Sequence, residues 1–185
     1  MSTDITTQQT CQALENLNFA PGTYLESGYL VMLDAFGIGD NSLSVEDIEV
    51  FLYSLEQQLA QMPKPCRLII DSLIPLAIAH STTEFVNLIY RKNRLLRQPG
   101  VVLLDIFLKG ILPEAALISL LNAYDIAIEL YRPNWGDMNQ QGNLGYPSLR
   151  LTKARGIKVD PRPYPYKLSP TEGIVLQADY YQTLS

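Results

Sequence analysis

Four short apolar segments alternate with helix-like segments between residues 28 and 131 of the chain. The apolar segments are YLVMLDAF, RLIID, GVVLLDIF and DIAIEL, which begin at residues 29, 67, 100 and 125. They are apolar at odd and at even positions, which is typical of strands that helices cover on both faces. Because strand and helix alternate, the sequence predicts an α/β protein with a mostly parallel sheet flanked by helices.

The segments between these strands carry single apolar stripes at helical spacing. Ser44 is predicted to be the N-cap of the first helix, which stops before Pro63. A second helix is predicted over residues 83–97, with Phe85 and Leu88 facing inward. Pro113 is predicted to begin the third helix, because proline is favoured in the first helical turn.

The C-terminal part of the chain has a different pattern. A long polar loop at residues 132–145 precedes shorter strand-like segments that are separated by turn signals. We therefore expect one domain over residues 1–185. It would comprise a polar N-terminal helix and lead-in (1–27), an α/β core (28–131), and a loop followed by a C-terminal antiparallel extension of the sheet (132–185).

Composition narrows the class of protein. Apolar residues make up 47% of the chain and charged residues only 18%, which hints that part of the surface is buried against a partner. A net charge of −5 argues against non-specific binding of nucleic acid by the whole surface. No secretory signal, membrane-spanning run or disulfide framework is recognisable, and one histidine cannot form a histidine-based metal site. We expect a cytoplasmic protein with no metal site.

Asp71 and Ser72 follow the apolar run RLII directly. Ligands gather at the carboxyl ends of parallel strands, where an acid can hold Mg²⁺ through water while a neighbouring hydroxyl contacts phosphate. The alternative is an aspartate that only caps the turn after the strand.

The phosphate-binding segment that such an acid usually accompanies is not in this sequence. No G-x-x-x-x-G-K-[ST] motif and no Gly-Lys pair occur, and the glycine-bearing segment GIGDNS at residues 37–42 is interpreted as a loop. A P-loop needs its glycines to wrap the phosphates in backbone N–H groups and its lysine to meet their charge. The sequence therefore predicts no catalytic residue and no independently bound cofactor.

Two groups of basic residues are candidates for binding anions. Lys153 and Arg155 lie two residues apart on an extended segment, which suits an anion, although basic residues also protect edge strands. Arg91, Lys92, Arg94 and Arg97 form the densest positive cluster and are candidates for a face that binds phosphate or nucleic acid. The alternative for this cluster is a solvated helix face.

Taken in order, these segments resemble the RecA-fold ATPases of the KaiC and RadA group, and the KaiC-like members most closely. RLIIDSL resembles the Walker B strand of that group and YDIAIELY its late AD-x-V-I-x-L strand. LRLTKARG and YPYKLSPTEGIVL resemble its closing element, in which K-x-R-G precedes a Pro-aromatic strand and a Gly-Ile strand. The resemblance covers roughly residues 12 to 177 and implies a RecA-like sheet.

The resemblance assigns roles residue by residue. Asp71 takes the Walker B acid position, Ser72 the hydroxyl beside it, and Lys153 and Arg155 a basic pair that reaches phosphates bound by a neighbouring subunit in hexameric relatives. The Walker A portion of the family pattern has no counterpart, and RGIKVD lacks the Ser/Thr and His that often follow Arg-Gly. The resemblance therefore implies that the chain has no independent ATPase activity.

Three functions are consistent with these observations. The first is a non-catalytic RecA/KaiC-like module that acts in protein assembly or regulation, as an oligomer or with a RecA-like ATPase partner. The second is a composite ATPase subunit that supplies Lys153 and Arg155 in trans to ATP and Mg²⁺ at a shared interface. The third is a nucleic-acid-binding accessory subunit that uses the cluster around Arg91. Membrane binding is not expected.

Overall fold

The computed structural model describes residues 1, 5–35, 43–132, 147–160 and 162–177. The chain divides into two compact units, Met1–Ala123 and Tyr124–Ser185. The GIGDNS segment at 37–42 lies outside the described residues, as does the polar loop at 132–145 except for its first residue.

The first unit is an α/β unit. Its helices are α1 (Thr7–Asn16), α2 (Pro21–Glu26), α3 (Ile48–Gln61), α4 (Ile74–Ala79), α5 (Thr82–Leu96) and α6 (Glu114–Asn122), and its strands are β1 (Cys66–Ile70) and β2 (Val101–Asp105). The second unit contains the strands β3 (Ile126–Tyr131), β4 (Ser148–Ala154), β5 (Tyr164–Ser169) and β6 (Gly173–Leu176).

Helix α3 begins later than the sequence predicted. Its N-cap is Asp47, whose side chain accepts hydrogen bonds from the backbone N–H groups of Glu49 (2.9 Å) and Val50 (3.1 Å). The prediction that Ser44 is the cap was wrong by one turn, because both serine and aspartate satisfy the capping pattern and the structure uses the aspartate. The helix packs inward through Phe51, Leu52, Leu55 and Leu59.

Helix α5 lies at the centre of the first unit. It contacts α3, α4, α6 and β2. Its inward stripe contains Phe85, Leu88, Ile89 and Leu96, each no more than 1% exposed. The spacing of three and four residues places these side chains on one face of the helix, and their burial supplies much of the apolar core of the unit.

Both α1 and α5 begin with a capping box, which allows a matched test of the two caps. Ser81 and Glu84 satisfy each other's backbone N–H groups at α5, and Thr6 and Gln9 do so at α1. We expect Ser81→Ala to lower the free energy of unfolding by about 1 kcal/mol. Thr6→Ala should change it much less, because α1 buries none of its side chains. Urea unfolding followed by far-UV circular dichroism measures both, and equal losses would contradict this expectation.

The parallel part of the sheet is smaller than predicted. Strands β1 and β2 pair in parallel, from Cys66 opposite Val101 to Ile70 opposite Asp105. The described part of the strand predicted at 29–36, residues 29–35, does not form a strand of this sheet. Its backbone bonds locally instead, with Leu30 N–H donating to Tyr24 O and Asp34 O accepting from Leu43 N–H.

The second unit is a four-stranded antiparallel sheet in the order β3-β4-β5-β6. The segment DIAIEL, predicted to close the parallel sheet, instead forms most of β3 and pairs antiparallel with β4. A sequence pattern reports burial and not strand direction, so β3 was assigned to the wrong sheet. The register shifts beside Ala127, and the hydroxyl of Thr152 donates to Ala127 O at 3.1 Å there. The predicted C-terminal antiparallel strands are present as β4 to β6.

The described residues contain neither a membrane-spanning helix nor a cluster of metal ligands. None of the described helices combines the length and hydrophobicity that a membrane-spanning helix requires. In the same part of the chain, no group of three or more His, Cys, Asp or Glu side chains is placed to hold a metal ion.

Candidate functional site

The carboxyl edge of β1 and β2 is where a RecA-like site would lie. Ile70 ends β1 level with Asp105, which ends β2, so the two strands stop together. Asp71 follows β1 with an exposed side chain, and Ser72 is only 3% exposed. The fold therefore places the predicted acid and hydroxyl at the expected edge, but it exposes only the acid to solvent.

Ser72 has a local structural contact. Its hydroxyl accepts a hydrogen bond from the N–H of Ile74, the first residue of α4, at 3.3 Å. The next residue, Leu73, donates its N–H to Ile106 O at 2.9 Å, which ties the turn after β1 to the end of β2. The buried Ser72 hydroxyl thus helps to build the strand-to-helix turn, a role that the alternative had given to the Asp71 side chain.

Met1 lies along the edge of β1 that faces away from β2. Its amino group donates to Ile69 O at 2.8 Å, and its carbonyl accepts from Asp71 N–H at 3.0 Å. Burial lowers the pKa of this amino group, and the nearby charge of Asp71 opposes the shift. The edge of β1 therefore bonds an extended backbone beside Asp71.

Lys92 is not part of an exposed positive face. Its side chain is 0% exposed and its ammonium lies 2.5 Å from Oδ2 of Asp105, whose side chain is 3% exposed. Burial lowers the pKa of Lys92, while the charge and hydrogen bond of Asp105 raise it. Lys92 falls on the inward stripe of α5, three residues after Ile89, so the structure separates it from the arginines with which the sequence grouped it.

The three arginines of the predicted cluster remain on the surface of α5 and its C-terminal end. Arg91, Arg94 and Arg97 are exposed. Arg91 pairs with Glu49 of α3 at 2.8 Å, and this contact raises the pKa of Arg91 and lowers that of Glu49.

A groove of about 450 Å³ lies beside Arg91, and its lining contains one acidic and one basic side chain. It is bordered by Ile48, Glu84, Asn87, Leu88, Tyr90 and Arg91. Because the carboxylate of Glu84 shares the lining with Arg91, the groove lacks the single-signed positive surface that binding to a phosphate backbone uses.

Lys153 and Arg155 lie in the second unit. Lys153 is half-buried in β4 opposite Ala127, and Arg155 follows the strand. The N–H of Arg155 donates to Asp125 O at 2.8 Å, and its guanidinium pairs with the Asp125 carboxylate at 3.1 Å, where both side chains are at least half exposed. Arg155 is therefore held by a partner that the sequence pattern did not identify.

Sequence reasoning also missed a polar cluster on β3 and β4. Arg150 and Glu129 are opposite each other in the register and form an ion pair at 2.5 Å. The guanidinium of Arg150 also lies 5.6 Å from the ring centroid of Tyr131. The hydrogen bond that Arg150 donates to the Glu129 carboxylate is the main reason that the pKa of Arg150 is raised. The residue types allow such a pair, but the register that joins them cannot be read from spacing alone.

One face of the β1–β2 sheet is open to solvent. The register places the exposed Arg67 beside Val102 and Ile69 beside Leu104, so this face carries one arginine together with the apolar side chains of Ile69, Leu104 and Val102. These apolar side chains are 43%, 50% and 57% exposed. Parallel sheets are almost always covered on both faces, so an open apolar face on a parallel pair is unusual. We call these three apolar residues the β1–β2 face.

Comparison with known proteins gives a structural match only. Neither a protein-family model nor a curated protein matches the sequence. Among solved structures, the crystal structure of the KaiC-like protein PH0186 from the hyperthermophilic archaeon Pyrococcus horikoshii OT3 superimposes with a TM-score of 0.72. The match covers 95% of this chain and 74% of that chain, at 17% sequence identity.

The match establishes the fold. The chain shares its α/β fold with this KaiC-like protein, as the order of sequence motifs suggested. Its parallel strands within the described residues are limited to the β1–β2 pair, and the antiparallel strands form a separate sheet. At this level of identity the match assigns no activity to the chain.

Proposed function

We propose that this chain is a non-catalytic RecA/KaiC-like module that acts by assembling with other proteins, including a RecA-like ATPase. The observation that carries the proposal is the exposed β1–β2 face. A partner that covers Ile69, Val102 and Leu104 would remove apolar surface from water and give the parallel pair its second covering layer.

The chemistry of the carboxyl edge supports a role without hydrolysis. Asp71 has an exposed carboxylate that can hold a hydrated Mg²⁺, but a bound triphosphate also needs several donors around its phosphates. The hydroxyl of Ser72 is buried in the turn, and the ammonium of Lys92 is buried against Asp105. The sequence contains no G-x-x-x-x-G-K-[ST] segment to supply the missing donors.

The proposal is tested by identifying the partner and then charging the β1–β2 face. Affinity purification of the chain from its native cells, followed by mass spectrometry, should recover a protein that carries a P-loop. We expect Val102→Lys to weaken binding of the purified partner by about 30-fold or more, the loss that a hot-spot residue worth about 2 kcal/mol represents.

A matched control distinguishes this face from other exposed apolar residues. Ile118 of α6 is 57% exposed, as Val102 is, and Ile118→Lys should leave partner binding unchanged. Isothermal titration of the isolated chain with ATP and Mg²⁺ should show no micromolar binding. Tight nucleotide binding by the chain alone, or equal losses from the two lysine variants, would refute the proposal.

The composite-ATPase alternative is addressed with the same purified complex. It is favoured by the exposed guanidinium of Arg155, which is held at the end of β4 by Asp125 as a positioned arginine finger would be. If this alternative holds, Lys153→Ala and Arg155→Ala will each slow ATP turnover by the partner, the arginine variant by about 10³-fold or more. Unchanged turnover in both variants favours the non-catalytic role.

A further inference from the structure

The antiparallel sheet of the second unit has one face that is apolar across all four strands. Residues that pair directly across antiparallel strands share a face, as do residues two apart along a strand. The register therefore places the following residues together: Ile126, Ile128 and Leu130 of β3, Leu149 and Leu151 of β4, Tyr164, Tyr166 and Leu168 of β5, and Ile174 and Leu176 of β6. We call these residues the β3–β6 face.

The irregularity in β4 keeps charge off this face. Leu151 and Lys153 are two apart and would share a face in a regular strand. The register shift beside Ala127 places Lys153 opposite Ala127, on the other face, and places Ala154 opposite Ile126. The ion pair of Glu129 and Arg150 also lies on the other face. The polar atoms that the side chains of the β3–β6 face carry are thus the two tyrosine hydroxyls.

Much of this apolar face is accessible to solvent. Six of its residues are between 47% and 74% exposed: Ile126, Ile128, Leu130, Leu168, Ile174 and Leu176. Together they present on the order of 500 Å² of apolar surface, a patch size that marks an interaction site on a soluble protein. Antiparallel sheets usually leave a polar face in water, so an exposed apolar face is the unexpected feature.

We infer that the β3–β6 face is a self-association surface that packs against the same face of a second copy of the chain. The inference deepens the proposed assembly role and rests on it, since it names one of the partners. Homodimer interfaces are the most apolar class of protein interface, whereas a selective contact with a different protein uses more polar groups. The face has no charge that would repel its own copy.

The dimensions also suit a second copy. Two sheets can pack face to face at about 10 Å, and a twofold axis lets the same patch serve both partners. The six exposed residues supply more than half of the roughly 800 Å² that each partner contributes to a standard interface. The half-exposed tyrosines and leucines of β4 and β5 and the surrounding rim supply the rest.

Sedimentation velocity of the purified chain with substitutions of equal exposure tests the inference. Ile128 and Val102 are each 57% exposed, but they lie on the β3–β6 face and the β1–β2 face respectively. We expect the wild type and Val102→Lys to sediment as dimers at micromolar concentration. Ile128→Lys should sediment as a monomer, with a dissociation constant raised by at least about 30-fold.

A charge-swap experiment separates a lost interface from a lost fold. In the inferred dimer the twofold axis lies beside Ile128, the middle of the three exposed β3 residues, so Ile128→Lys and Ile128→Glu should each be monomeric. An equimolar mixture of the two should regain a dimer in which opposite charges meet across the axis. A misfolded variant would not be rescued by mixing.

The inference fails if the wild type is monomeric, if Ile128→Lys remains dimeric, if Val102→Lys dissociates the dimer instead, or if the mixture stays monomeric. None of these readouts involves the ATPase partner or a nucleotide, so they are independent of the test of the proposed function.

Discussion

Replacing Lys92 by methionine is expected to lower the free energy of unfolding by about 3–5 kcal/mol. Methionine nearly matches the length of lysine and keeps the apolar contacts of its stem, but it leaves the Asp105 carboxylate in the core without its ammonium partner. Lys92 is 0% exposed and Asp105 is 3% exposed, so water cannot compensate the carboxylate. Urea unfolding followed by circular dichroism would measure the loss.

Two further variants show whether the loss comes from an uncompensated charge. The double variant Lys92→Met with Asp105→Leu should recover most of the stability, since replacing both members of a buried pair by apolar residues is often neutral. Arg91→Met breaks the neighbouring pair with Glu49, in which the side chains are 51% and 73% exposed, and should lower the free energy of unfolding far less than Lys92→Met, because water screens and solvates both groups. A small loss for Lys92→Met, or a double variant no more stable than the single one, would show that the pair does not have this role.

The position of Lys92 shows what the sequence could predict about the helices. The apolar spacing of α5 identified Phe85 and Leu88 as inward residues, and the structure buries both. The same spacing reaches position 92, but a lysine was assigned to the outer face because charged residues are seldom buried. Its burial depends on Asp105, which lies 13 residues away in another element. Periodicity was therefore a better guide than residue type, but it could not name the partner.

Strand pairing was less accessible from the sequence than helix formation. The apolar run at 29–36 has a strand-like pattern, but Leu30 N–H donates to Tyr24 O of α2 and Asp34 O accepts from Leu43 N–H. β3 has the same kind of pattern, and it pairs antiparallel with β4. Local patterns report which residues avoid water, whereas direction and register depend on neighbours that are distant in sequence.

The candidate site shows the same division between local and long-range information. The sequence predicted that Asp71 lies at the carboxyl end of a strand, and the structure shows it there. The apolar run RLII directly before Asp71 was sufficient for that prediction. The partners of the charged groups could not be predicted. Arg91 pairs with Glu49, which is 42 positions earlier in the chain. Arg155 pairs with Asp125, and the strands β3 and β4 lie between these two residues in the sequence. Those contacts decide which cations are available to a ligand.

Phe85→Ala should be comparably destabilising, at about 3–5 kcal/mol. Phe85 of α5 is 0% exposed, and its ring centroid lies 6.0 Å from that of Phe107, two residues beyond β2. Truncation leaves a cavity where α5 meets the end of β2, the contact that positions the carboxyl edge beside Asp71. Native-state hydrogen exchange should therefore show faster exchange of the β2 amides, alongside the loss measured by urea unfolding.

A second stacked phenylalanine provides the control for this prediction. Phe19 stacks on Tyr24 with centroids 5.1 Å apart, but it is 41% exposed. Phe19→Ala removes a ring contact without opening a buried cavity, so it should cost at most about 1.5 kcal/mol and leave exchange in β2 unchanged. Equal losses from the two variants would mean that ring stacking, and not core packing between α5 and β2, accounts for the contribution of Phe85. The carboxyl edge would then be positioned by the backbone bonds of the strand pair and not by the helix beneath it.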